Sequence, residues 1–99
     1  MIRVLVTDDH LLVRQGIRAL LEVSDDIEVV GEAENGKQAI QMSSKLNPDI
    51  ILMDLIMPEV GGVAATEKIL EDWPDIKIVV LTSFVDRKAY LKNPLGQEL

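Results

Sequence analysis

Asp49-Ile50-Ile51-Leu52-Met53-Asp54 is the stretch that decides the fold. Its apolar residues run without polar alternation between two carboxylates, as in a strand buried on both faces, and such strands belong to parallel sheets. Upstream, Pro48 pushes Asn47 out of the α region, so the preceding element must end there. Ala39, Ile40, Ser43 and Leu46 recur at helical spacing and mark one face of that element, a helix that opens after the break at Asn35-Gly36. Downstream, the loop 55–62 holds Pro58, Gly61 and Gly62. A helix is predicted from there to about Asp72, closed by Trp73-Pro74.

The same alternation continues toward both ends. Residues 2–7 read as a β-branched strand that stops at Asp8-Asp9. Val13, Ile17, Leu20 and Leu21 predict a helix over 11–23, with Asp9 in the N-cap position. Residues 27–33 form a second strand and 76–81 a fourth, which ends at Thr82-Ser83. Strand–helix alternation of this kind implies an α/β fold, a doubly wound parallel sheet with right-handed crossovers.

The bulk numbers narrow the classes of function. Ninety-nine residues make one small domain. With three aromatics (Trp73, Phe84, Tyr90), the core must come from Val, Ile, Leu and Met. A net charge of −7 argues against gripping a phosphate backbone, so no nucleic acid is expected on this segment. No apolar run approaches the ~20 residues of a membrane span, and no signal peptide is visible, so a cytoplasmic location and no membrane partner are expected. The absence of cysteine excludes disulfides and thiolate metal sites.

Ligands in open parallel sheets collect at the carboxyl ends of the strands. Here those ends carry Asp8-Asp9, Asp54 and Thr82-Ser83. Taken singly, Asp9 reads as an N-cap, Asp8 and Asp54 as turn residues, and Thr82-Ser83 as turn chemistry. Together on one edge they read as a site. Clustered carboxylates repel and raise one another's pKa, and a hard cation such as Mg²⁺ removes the conflict. A carboxylate there can attack a phosphoryl donor to give an acyl phosphate, with a hydroxyl such as Thr82 bonding a phosphoryl oxygen.

Three blocks resemble the hallmarks of response-regulator receivers: Val4-Leu5-Val6-Thr7-Asp8-Asp9-His10, the run from Asp49 to Pro58, and Val79-Val80-Leu81-Thr82-Ser83. The first, extended through Leu11-Leu12-Val13-Arg14-Gln15-Gly16, is similar to the NarL/LuxR subfamily and, within it, to LiaR/VraR-like regulators. The resemblance implies the flavodoxin-like (CheY-like) fold and phosphorylation of Asp54 by a sensor histidine kinase. It also implies Mg²⁺ held by Asp8, Asp9, Asp54 and the backbone carbonyl of Ile56, with Asp8 acting mainly through water and Thr82 as the switch hydroxyl. His10, Arg14 and Gly16 fit the subfamily pattern without a catalytic role in it. The activity implied is that of a phosphoacceptor signalling domain in transcription regulation, not an enzyme.

The tail departs from the pattern. Receivers of this family carry a lysine at the end of a fifth strand, and Lys88 and Lys92 come too soon after Thr82 to be that residue. The expectation is a truncated receiver over 1–83 with sheet order 2-1-3-4, lacking the fifth strand and helix, and an atypical tail over 84–99 with a possible short helix. Phosphorylation would be impaired, and DNA binding would belong to an absent output domain. An unpaired fourth strand predicts a homodimer through that strand or the tail. Two rivals are a non-catalytic, dominant-negative fragment and a Mg²⁺-dependent phosphohydrolase. The latter wants a carboxylate two residues after its nucleophile, where this chain has Ile56.

Overall fold

A computed structural model of the chain describes residues 1–55, 57 and 60–81. The elements follow in the order β1 (Ile2–Thr7), α1 (Leu11–Leu21), β2 (Ile27–Ala33), α2 (Gly36–Leu46), β3 (Ile50–Asp54), α3 (Gly62–Asp72) and β4 (Lys77–Leu81). The four strands form one parallel sheet in the order β2-β1-β3-β4, the expected arrangement. The expected fifth-strand deficit and the tail from Thr82 onward fall outside the described residues. Among the described residues no helix is long and apolar enough to cross a membrane.

Local chemistry sets the boundaries. Asn35 caps α2, its side chain accepting from the amide of Gln38 at 2.8 Å. Asn47 ends that helix in the left-handed region, at φ 48°, which asparagine tolerates better than most residues. The N-cap position of α1 differs from expectation: His10 occupies it, not Asp9, and makes no side-chain capping bond. Asp8 Oδ1 instead accepts from the His10 amide at 2.8 Å, so a turn built by Asp8 launches the helix. α1 also stops two residues early, where the Ser24 amide bonds the Leu21 carbonyl at 3.1 Å.

The sheet is covered differently on its two faces. On one, Leu5, Ile51 and Met53 pack with Ala39 of α2 and with Ala65 and Ile69 of α3. On the other, Val4, Val6 and Val29 meet Ile17 and Leu21 of α1. Of the apolar residues whose spacing marks α1, Leu20 is 76% exposed, while Arg14 is the buried residue of that helix. Apolar residues lie on more than one side of α1, and Arg14 turns inward to polar partners, Glu32 on β2 and the carbonyl of Asp8 just after β1.

A β-bulge between β1 and β2 resets the phase of β2. Val4 pairs with Val29 but Leu5 with Gly31, so Val30 is the extra residue. Beyond it, Glu32 pairs with Val6 and Ala33 with Thr7. Because strand side chains alternate with period two, this shift moves Glu32 to the α1 face. β4 pairs with β3 and is an edge among the described residues, with Val79 46% and Val80 52% exposed.

Candidate metal and phosphoacceptor site

β1 and β3 lie side by side, Thr7 opposite Met53, so the residues that follow or end them share one edge of the sheet. Asp8, Asp9, His10 and Asp54 meet there, each offering one ligand atom, all within 4.8 Å of one another. Asp8 and Asp54 are fully buried, whereas Asp9 and His10 are exposed. The Asp8 amide donates to the Ala33 carbonyl at 3.1 Å, which fixes the turn against β2.

The electrostatics of the cluster are one-sided. His10 Nδ1 lies 3.0 Å from Oδ1 of Asp8 and 3.0 Å from Oδ1 of Asp9. The hydrogen bond to Asp8, followed by the charge of Asp9, holds its pKa above the usual imidazole value. Oδ2 of Asp8 is buried with no hydrogen-bond partner among the described residues. An anionic oxygen so placed is costly unless a cation meets it. The carboxylate donors suit Mg²⁺, which binds through one or two carboxylates, waters and phosphate oxygens. The residues present fit that ion.

The loop after Asp54 is held at both ends. The Gly62 amide donates to the Leu55 carbonyl at 3.0 Å, and a Cβ at Gly62 would overlap the Asp54 carbonyl oxygen. The Gly36 amide at the start of α2 donates to the Val60 carbonyl at 2.9 Å, and a Cβ at Gly36 would overlap that oxygen. Glycine is required at both positions by this close backbone approach.

Of the site residues read from sequence, Asp8, Asp9 and Asp54 are brought together. Ile56 and Thr82 lie outside the described residues. Sequence reasoning missed that the His10 ring sits on the acidic pair. It also missed the buried Arg14, whose Nη1 donates to the Asp8 carbonyl at 2.7 Å and whose Nε donates to Glu32 at 3.0 Å.

The model of the response regulator receiver domain matches residues 4–94. The chain belongs to that family. Receiver domains are signalling domains of two-component systems and interact with histidine kinases. Among its relatives, the transcriptional regulatory protein LiaR of Bacillus subtilis is 51% identical over 86 residues, which cover 87% of this chain and 41% of that protein. The response regulator protein VraR of Staphylococcus aureus is 52% identical over 87 residues, covering 88% of this chain and 42% of that one. The chain therefore spans about two fifths of the length of these relatives. The response regulator domain of Thermotoga maritima CheB superposes with a TM-score of 0.81 at 33% identity, over 86% of this chain and 63% of that one. A LuxR-family response regulator from Aurantimonas gives 0.77 at 36% identity, over 81% and 57%. The receiver fold and the LiaR/VraR-like resemblance both hold.

Proposed function

We propose that this receiver domain is a phosphoacceptor in which Asp54 takes a phosphoryl group from the phosphohistidine of a sensor histidine kinase. A carboxylate oxygen of Asp54 bonds to phosphorus, the donor's N–P bond breaks, and the departing imidazole nitrogen takes up a proton. Bound Mg²⁺ would screen the nucleophile from the incoming charge. Asp8, Asp9, Asp54 and the carbonyl of Ile56 would hold it, and Thr82 would bond a phosphoryl oxygen. The observation that carries this reading is the convergence of three carboxylates from two strand ends within 4.8 Å.

Lys88 and Lys92 stand too close behind Thr82 in sequence to act as the family's fifth-strand lysine. The likeness to LiaR and VraR supports a place upstream of transcription control, exerted through an output domain outside this segment, and a cytoplasmic setting. Intact mass after treatment with acetyl phosphate and Mg²⁺, beside an Asp54→Ala variant, tests the reading. A base-labile phosphoryl adduct on the parent alone is expected; no adduct on either, or an equal adduct on both, overturns it.

A second reading is favoured by the exposed Val79 and Val80 of β4, an edge strand among the described residues: association of two copies, or of this chain with an intact homologue, through that strand. Sedimentation is expected to show a dimer at high concentration. A monomer throughout removes this reading.

A further inference from the structure

We infer that Arg14 is a positioning residue for the cation site, acting through the backbone carbonyl of Asp8. The inference rests on the Mg²⁺ reading of the acidic cluster. Arg14 is the one buried residue of α1, with a side chain 7% exposed. Burial of a guanidinium on a surface helix has a cost, so its contacts must matter. Nη1 donates to the Asp8 carbonyl at 2.7 Å, and Nε to Glu32 Oε1 at 3.0 Å. The second oxygen of Glu32 accepts from Arg18 Nη1 at 2.9 Å, and Arg18 Nε reaches Glu22 at 2.7 Å. A polar chain therefore runs from the acidic turn to the far end of α1.

Peptide planarity gives the first contact its leverage. The Asp8 carbonyl and the Asp9 amide share one rigid plane, so anchoring that carbonyl sets the direction in which Asp9 leaves Asp8. The Asp8 amide is already fixed on the Ala33 carbonyl. With both of its peptide groups held, Asp8 cannot swing, and Asp9 is aimed at the same point. Glu32 in turn orients Arg14, and it stands on the α1 face because of the bulge at Val30. The guanidinium fork meets the carbonyl and the carboxylate together, whereas a lysine ammonium at the same position is a single point charge.

Charge alone predicts the opposite effect from positioning. A cation near the site repels Mg²⁺, so removing Arg14 would tighten binding if its charge were what mattered. Positioning predicts weaker binding, since groups that orient metal ligands typically change affinity 10–100-fold when altered. The test is calorimetric titration of Mg²⁺ into the 99-residue parent and into Arg14→Lys, Arg14→Gln and Arg18→Gln variants, each checked for folding by circular dichroism without metal. Arg14→Lys and Arg14→Gln are expected to bind about tenfold more weakly. Arg18→Gln, which leaves the Asp8 contact intact, should bind as the parent does. Unchanged or tighter binding by the Arg14 variants overturns the inference, as does an equal loss in Arg18→Gln. If Arg14→Gln does not fold, Arg14→Lys decides. A parent that binds no Mg²⁺ removes the metal reading and this inference together. A parent that binds, with Arg14→Lys as its equal, removes only the inference.

Discussion

The two faces of the sheet are built on different principles. Under α2 and α3, Leu5, Ile51, Met53, Ala65 and Ile69 close a dry apolar layer with no exposed surface. Under α1, the apolar contacts are fewer, and the buried residue of the helix is an arginine tied to a carbonyl and a glutamate. The first face holds the molecule together by area and packing. The second couples a helix to the acidic turn by directed bonds, which fix orientation and add less net stability.

Substitutions on each face test this division. The largest effect is expected from Leu5→Ala, which empties a fully buried position on the apolar face and costs about 2–5 kcal/mol, read from urea unfolding. A loss below that range would mean that this face collapses around the gap. A smaller effect belongs to the polar face and depends on pH. Burial pushes the Glu32 carboxyl up, but the hydrogen bonds from Arg18 and Arg14 and their charges outweigh it and hold its pKa below the usual 4.5. A carboxyl depressed in the folded state contributes stability above its unfolded pKa and loses it as pH falls through the folded one. The gap in Tm between the parent and Glu32→Gln should therefore be open at pH 7 and narrow below about pH 4.5. A gap that stays constant with pH would remove the ion-pair account of this face. The smallest effect is expected from Leu20→Gln, on the outward side of α1, within about 0.5 kcal/mol by the same urea measurement. A larger loss would show that something covers Leu20 in solution.

Much of the fold was legible because the strands announce themselves. Ile50–Asp54 is apolar between carboxylates, and Asn47-Pro48 leaves the preceding helix nowhere to continue. Asp8, Asp9 and Asp54 could be found together because topology alone brings strand ends to one edge. What sequence missed was long-range or out of phase. The pattern of α1 includes Leu20 and passes over Arg14, because periodicity counts apolar side chains and cannot see a buried arginine whose partner lies 18 residues away. A two-residue period carried through β2 from Val29 places Glu32 on the wrong face, since the bulge at Val30 leaves no mark in the composition. The N-cap shift from Asp9 to His10 has a similar origin, because Asp8 spends its carboxylate on the His10 amide.

The bond between Gly36 and Val60 gives the molecule a natural spectroscopic probe. Its donor stands at the head of α2, while its acceptor belongs to the segment that follows Asp54. The amide proton of Gly36 therefore registers the loop's position from a residue that is not itself part of the acidic cluster. A single isotope-labelled glycine signal would follow the state of the loop during a titration with no reporter group attached.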